Sequence, residues 1–344
     1  IKMKILQVID SLNVGGAERV CIDLSNLLDD KKMDVTVLSV TEKGKLVHLL
    51  DNNIKFISLN RKYKFEIKAI KKVIKLIKKN DVTHIHTRHT YRYIKLICVL
   101  FRINSKLIFH DHYGKIKVDT SIPLFMNSIL KPTFYIGVSK ELVDWSRNEL
   151  NIDVNNSFLL ENIVIRNEYL ENKKITSAVL VSNISPIKNQ LFAIKLIAKT
   201  TFNLVIYGVI NDVNYFEELN EYIRVNKLQK RILFIHDETD IQSVLGKYDF
   251  ALQTSKSESG PLVLIEYLAQ GIPFIAFETG QVAATIKSKL PFIIDNFNEE
   301  KWIVKIDEIK KIQKEELITT YYNFFNTETY VNKCLEIYKK TKIF

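Results

Sequence analysis

Along the chain one arrangement of apolar and polar positions recurs: a short apolar run, a turn, then a segment with apolar residues every three or four positions. "MKILQVID" predicts a buried strand, "AERVCIDLSNLLDD" a helix and "DVTVLSV" a second strand. The alternation continues through "KFISL", a lysine-rich helix, "VTHIHT", an apolar helix near 91–102, "KLIFHD", a helical stretch near 122–131, "FYIGVS" and "ELVDWSRNEL". Strands that are apolar along their length and separated by helices predict a parallel sheet covered on both faces.

After "SFLLENIV", the segment "IRNEYLENKKITS" at 165–177 is charged and lacks an apolar period, and a new strand, "AVLVSNIS", follows it. A domain boundary is expected there, giving a first domain over 1–165 and a second over 166–327. The second domain repeats the alternation with "QLFAIKLIAKT", "FNLVIYG", "VNYFEELNEYIRVN", "RILFIH", "DIQSVLGKY", "DFALQTS", a helix from about 261 and "PFIAFE". The expected fold class is α/β, two Rossmann-like doubly wound domains facing a central cleft, with chemistry in the loops at the carboxyl ends of the strands.

A length of 344 residues suits two domains of about 150 each. The apolar run "LICVLF" at 96–101 is far short of the roughly 18 residues a membrane span requires. No stretch near the start has the basic, apolar and small-residue order of a secretory leader, and the cysteines are Cys21, Cys98 and Cys334. The expectation is a reduced, cytoplasmic protein, and Ile1 and Lys2, which precede Met3, are left out of the fold reading.

Charge separates the halves. Residues 1–165 carry 27 Lys and Arg against 17 Asp and Glu, whereas 166–344 carry 23 against 22. Within the basic half, residues 61–80 hold nine basic residues and one acid, with Ile67, Ile70, Ile74 and Ile77 at helical spacing opposite Lys68, Lys71, Lys72, Lys75 and Lys79. Two readings stand: a core-packed helix with a solvated lysine face, or a surface for anionic lipid at the inner face of the cell membrane, each basic residue contributing about 1 kcal/mol.

Candidate chemistry concentrates at "SKSESGPLVLIEYLAQGIPFIAFETG", residues 255–280. Pro261 suits the first position of a helix, and the amide donors of that turn form an anion site around Gly260, Pro261 and Leu262. Glu258 precedes the helix and Glu266 lies about five residues into it, so the carboxylates flank the anion site. Carboxylates repel phosphate but accept hydrogen bonds from hydroxyls, which suits a diphosphate with a sugar at each end, the form of a nucleotide sugar.

Glu258 and Glu266 with seven residues between them, followed by "LAQGIPFIAFETG", resemble the signature of retaining GT-B glycosyltransferases of family 4, the glycosyl transferases group 1. "VGGAER" at 14–19, "IGVSKEL" at 136–142, "LENIVI" at 160–165 and "VSNISPIKN" at 181–189 extend the likeness through both domains. The resemblance implies that Glu266 holds the ribose hydroxyls and that Glu258 lies near the transferred sugar. It implies that Gly15 and Gly16 admit the donor diphosphate to the backbone, and that Lys188 neutralises the leaving diphosphate. It also implies that 328–344 forms a helix packing back on the first domain.

Some positions depart from the pattern. Asn183 stands where many relatives carry an arginine, so one of two expected donor-site cations is missing. "YGVI" at 207–210 lacks a second glycine, "FLLENIVI" lacks the usual Gly-Val-Asp after its Asn, and Ala284 replaces a frequent glutamate.

Five of the seven histidines fall in 84–112, within "THIHTRH" and "FHDHYG". His84 and His86 would share one face of a strand, but without a cysteine or dense acidic cluster to complete a zinc set they read as hydrogen-bonded imidazoles. The resemblance places a histidine near the donor sugar, with His112 the better match and His110 the alternative, and Asp111 reads as a turn residue.

The expected activity is retaining, metal-independent transfer from a nucleotide-sugar donor to a glycan or lipid-linked acceptor, in bacterial surface polysaccharide assembly, with no cofactor. The alternatives are a nucleotide-sugar epimerase, a non-catalytic partner subunit, or a nucleic-acid binder. The last is suggested by a net charge of +11 and by "TRHTYRYIK", but no recognised nucleic-acid motif supports it, and no nucleic-acid partner is expected.

Overall fold

The computed structural model describes residues 2–63, 65–169 and 175–341. Residues 170–174 of the charged segment, Lys64 of the basic stretch and 342–344 of the C-terminal segment lie outside the described residues. The chain divides into two units, one of Ile1–Val164 with Thr327–Phe344, the other of Ile165–Asn326.

Unit 1 carries the strands β1 (Lys4–Ile9), β2 (Asp34–Ser39), β3 (Lys55–Ser58), β4 (Val82–His86), β5 (Leu107–Asp111), β6 (Phe134–Gly137) and β7 (Ser157–Leu159). Its first helices are α1 (Gly16–Asp30), α2 (Ile67–Lys79), α3 (Arg88–Leu100) and α4 (Lys140–Asn148). Unit 2 carries β8 (Ile175–Val181), β9 (Asn203–Tyr207), β10 (Ile232–Ile235), β11 (Tyr248–Gln253), β12 (Phe274–Phe277) and β13 (Ile293–Ile294). Around them lie α5 (Gln190–Ala198), α6 (Val213–Val225), α7 (Ile241–Leu245), α8 (Leu262–Gln270), α9 (Gly280–Ile286), α10 (Glu299–Ile309) and α11 (Lys314–Phe324). The last helix, α12 (Thr327–Lys340), belongs to unit 1.

The sheets run β3-β2-β1-β4-β5-β6-β7 and β10-β9-β8-β11-β12-β13. All strand pairs in both are parallel. In each sheet the order reverses once, between β1 and β4 and between β8 and β11, and such switch points open a crevice at the carboxyl ends of the strands.

The apolar periodicity accounts for the packing. Helix α2 buries Ala69, Ile70, Val73 and Ile77 against a core that includes Leu6, Val8, Tyr91 and Phe109. Ile67, expected on the apolar stripe, is exposed at the first position of the helix, where no preceding turn covers it. The helical stretch expected near 122–131 is only a 3-10 turn over Leu124–Asn127. Pro123 stands just before that turn and Pro132 follows the segment.

Helix α12 is tied to the first sheet by polar contacts. The Tyr338 hydroxyl meets Gln7 on β1 and His84 on β4, and Glu328 pairs with Lys31 after α1. Among the described residues no helix is long and apolar enough to cross a membrane.

Candidate functional site

Unit 2 gathers chemistry at its switch point. The loop after β8 carries Asn183 and then a 3-10 turn, Pro186–Lys188, while the loop after β11 carries Glu258 and leads into α8. Lys188 Nζ lies 2.5 Å from Glu258 Oε1, both side chains keeping a minority of their surface accessible. The two loops are laced together: Thr254 Oγ1 donates to the Lys188 carbonyl at 3.0 Å, and the Lys256 amide to that of Ile187 at 2.8 Å. Gln190 donates to the Asn183 carbonyl at 2.9 Å, holding the first loop against α5.

A third segment supports the second loop from beneath. Thr279 Oγ1 accepts from the Glu258 amide at 3.1 Å, and the Gln281 amide donates to the Ser259 carbonyl at 2.7 Å. Gly280 sits between them at φ +80°, and a Cβ there would come within 2.8 Å of Pro261 Cδ and 3.0 Å of the Ser259 oxygen. Only glycine fits that crossing without moving the loop.

Pro261 is the residue before the helix, with ψ 106°, and not its first helical residue as the pattern suggested. Helix α8 then starts without a side-chain cap, so its first-turn amides and the positive end of its dipole face the loop that carries Glu258. Leu262, Val263 and Glu266 lie on its less buried face. On the opposite face, Tyr267 is fully buried and bridges the sheet, accepting from the Val181 amide and donating to the Leu252 carbonyl, each at 3.3 Å. That bridge fixes α8 relative to β8 and β11. The structure thus brings Lys188, Glu258 and the helix start of Gly260, Pro261 and Leu262 into one loop cluster. A cavity of about 790 Å³, lined by Tyr248, Asp249 and Pro273 among others, lies at the amino ends of the strands of this unit, away from the cluster.

In unit 1 the loop after β1 holds Gly15, the residue before α1, and Gly16, its first. Gly15 has extended backbone at φ −176°, and Glu18 folds over it, so that a Cβ on Gly15 would meet Glu18 Oε2 at 2.2 Å. Burial, and to a lesser degree the neighbouring Asp10, lifts the Glu18 carboxyl to about 7. Although it lies inside "VGGAER", Glu18 was not singled out in the sequence, since its protonation depends on how tightly the loop encloses it.

The histidines of β4 and β5 form a buried relay. His86 stands directly opposite His110 in the sheet, and the two-residue period puts His84 and His112 on the same face. Gln7 Nε2 donates to the Tyr338 hydroxyl at 3.1 Å, which leaves that hydroxyl to donate to His84 Nδ1 at 2.7 Å. His84 Nε2–H then donates to His110 Nδ1 at 3.0 Å. On the other branch, Gln7 Oε1 accepts from His86 Nε2–H at 3.0 Å, and His86 Nδ1 accepts from His112 Nε2–H at 3.1 Å. Each imidazole in this scheme is neutral. Burial is the main cause: His84 is pushed down to about 3, His112 to about 4, and His86 and His110 well below the usual range.

His110 is fully enclosed and its Nε2 has no partner, while His112 keeps some ring surface accessible. A third histidine does join the strand pair: nitrogens of His84, His86 and His110 lie within 4.8 Å of one another, though the contacts above already use most of them as hydrogen-bond partners. Gln7 had one sequence signal, a lone polar residue inside an apolar strand. Tyr338, more than 250 positions away from His84, had none.

Asp111 is more than the turn residue expected. It is buried in a fork with Arg88, Nη2 to Oδ2 at 2.9 Å, and also accepts from Tyr135 at 2.9 Å and from the Tyr113 amide at 3.0 Å. Its carboxylate ties the start of α3 to the end of β5 and to Tyr135 of β6. Of "TRHTYRYIK", Arg88 is therefore committed to the interior.

Comparison with known proteins places this architecture. The model for glycosyl transferases group 1 matches residues 162–323, and that for Glycosyltransferase Family 4 matches 14–157. The amylovoran biosynthesis glycosyltransferase AmsD of Erwinia amylovora is 25% identical over 326 residues, covering 89% of this chain and 90% of that protein. Two solved structures share the fold. One is a glycosyltransferase from Rickettsia africae, with TM-score 0.74, 22% identity, and 99% of this chain and 98% of that one covered. The other is HepE of Anabaena in complex with UDP and glucose, with TM-score 0.77, 17% identity, and 97% and 98% covered.

Proposed function

The chain belongs to the group 1 glycosyltransferases of Family 4, with the GT-B fold, and from that premise we propose that it moves a sugar from a nucleotide-sugar donor to a glycan or lipid-linked acceptor, with retention of configuration. AmsD, similar along nearly the whole chain, acts in amylovoran biosynthesis, which supports a role in bacterial surface polysaccharide assembly.

One observation carries the mechanism: the contact of Lys188 with Glu258 beside the uncapped start of α8. A donor diphosphate over Gly260, Pro261 and Leu262 takes the first-turn amides as donors and draws Lys188 towards its oxygens. Glu258, released from the lysine, accepts from a hydroxyl of the transferred sugar, and Glu266 one turn into the helix accepts from the ribose. Negative charge grows on the diphosphate as the glycosidic bond breaks. Lys188 and the helix dipole meet that charge, and the acceptor hydroxyl enters on the face the diphosphate leaves, its proton passing to a departing diphosphate oxygen. Asn183 supplies a neutral amide where a second cation would strengthen binding. In this mechanism the leaving group is neutralised by the chain's own cation and amides, and unit 1 binds the acceptor.

The test is a panel of UDP-, GDP- and ADP-sugars, scored first by thermal shift and then by product anomer. The reading expects one donor to raise the melting temperature in wild type, a smaller rise in Glu266→Ala, and an α-configured product from an α-configured donor. An inverted product anomer, or a full shift in Glu266→Ala, would refute it.

A further inference from the structure

A groove of about 410 Å³ opens on unit 1 beyond the carboxyl ends of β2, β3 and β4, a volume in the range of small-ligand sites. Thr41 follows β2, Arg61, Lys62 and Tyr63 follow β3, and His89 and Arg92 come from the first turns of α3 after β4. Three of these are permanent cations, one is a histidine, and among the described residues no acidic side chain lines the groove.

The groove has a built floor. His89, Arg92, Tyr93 and Leu96 recur at helical spacing on one face of α3. Tyr93 is buried, and the Arg61 guanidinium lies 4.0 Å from its ring centroid, which stiffens that arginine by cation–π contact. Burial raises the Tyr93 phenol, the charge of Arg61 and a hydrogen bond from that arginine act against the rise, and the O–H itself meets no acceptor among the described residues. Such a group inside a protein calls for an acceptor. At the rim the Tyr63 ring is 75% exposed, a flat apolar surface beside the cations.

We propose that this groove binds the anionic group of the acceptor, a phosphate or a carboxylate, with the adjoining sugar ring against Tyr63. Arg61 and Arg92 supply planar forks that match an oxyanion, and Lys62 adds a point charge. The acceptor role rests on the glycosyltransferase reading above; the oxyanion site itself does not. It absorbs the interleaved cations and aromatics of "TRHTYRYIK" without a nucleic acid, because Arg88 is held by Asp111 while His89, Arg92 and Tyr93 line one concave patch.

The test follows the His89 ring signal in protein labelled with 13C-histidine, titrated with inorganic pyrophosphate, glucuronic acid or glucose at constant ionic strength. A saturable shift with at least one of the two anions and none with glucose is expected. Arg61→Ala/Arg92→Ala should weaken the apparent Kd by about tenfold or more, as loss of charge-assisted contacts requires. Lys188→Ala, on the other unit, should leave it within about twofold, the additivity expected of independent sites. Arg61→Lys/Arg92→Lys guards against misfolding, since it keeps the charge and should retain part of the affinity. Response to pyrophosphate alone assigns a phosphate, response to glucuronic acid alone a carboxylate, and response to both the shared oxyanion. A linear, unsaturable shift, an equal response to glucose, or indifference to loss of both arginines overturns the proposal. So does retention of anionic vesicles by a protein that ignores both small anions, which would mark the patch as a bilayer contact. Donor turnover is not the readout, so a negative result here leaves the donor site untouched, and a failed donor leaves this groove standing.

Discussion

The two units use one sheet order and opposite electrostatic designs. Unit 1 keeps its outside basic and lines the face of its sheet with neutral imidazoles joined to Gln7 and Tyr338. Unit 2 is nearly balanced in charge and sets one ion pair, Lys188 with Glu258, at the rim of its switch point. A buried neutral relay holds a shape and is costly to charge, while a rim pair is ready to exchange one partner for a ligand. Positioning groups in the interior and an exchangeable cation at the edge are what transfer of a charged donor demands.

Lowering the pH should break this contrast most strongly. An imidazole whose folded pKa lies below its unfolded value near 6.5 stabilises fully above 6.5, and that contribution is lost as pH falls, by about 1.4 kcal/mol per unit for each ring. For His84 and His112 the loss continues down to about 3 and about 4, and His86 and His110 add to it in the same direction. Hydrogen exchange between pH 6.5 and 4.5 should therefore show β4 and β5 losing protection while β8 and β11 hold. Equal loss in both sheets would erase the distinction.

Lys188→Ala addresses the other side. Removing the lysine paired with Glu258 should cut turnover of the donor by about 100- to 1000-fold, the usual size for a lost charge-stabilising donor. Unit 1 hydrogen exchange should not change. Full activity would leave the rim pair a purely structural contact.

Gly280→Ala sharpens the picture of how the rim is held. Its φ of +80° and the crowding by Pro261 and Ser259 predict a stability loss of about 1–3 kcal/mol, together with weaker donor binding as the Glu258 loop shifts. Unchanged melting and donor affinity would mean the loop does not lean on that turn.

The smallest effect is expected at Glu18, which carries an acid's version of the shift seen in the histidines. Its folded value of about 7 lies above the unfolded 4.5, so the carboxyl destabilises the fold as pH rises from 4.5 to 7 and the full cost remains above 7. Glu18→Gln should raise stability at pH 8 by on the order of 1–2 kcal/mol and leave it unchanged at pH 4. A variant less stable at pH 8 than wild type would show that the charged form has a partner worth more than its burial.

Much of the fold was legible because apolar period and turn residues act locally. Strands such as "KILQVI" and helices such as 67–79 declare themselves within one window. Less was legible elsewhere: α9, α10 and α11 were not anticipated, although α10 buries Trp302, Ile306 and Ile309 at helical spacing, and 122–131 was read as more helix than its 3-10 turn. Site residues divide in the same way. The spacing of Glu258 and Glu266 is a local signal, and the doublet Gly15-Gly16 another. The Lys188 to Glu258 contact spans 70 positions and the Asp111 fork takes a partner 23 positions earlier, separations over which no pattern in the chain reports distance.

By itself the amino-acid order determined two parallel α/β domains, a basic first half, and a helix start placed between Glu258 and Glu266, since period, charge and capping depend on neighbours within a few residues. The tertiary structure alone decided that α12 closes onto β1 and β4, that Asp111 is an interior ion partner, that four histidines share one hydrogen-bonded face, and that Lys188 rests on Glu258. Those outcomes depend on which strands lie side by side, and burial, which shifts the titration of Glu18 and the imidazoles, exists only once the sheets have formed.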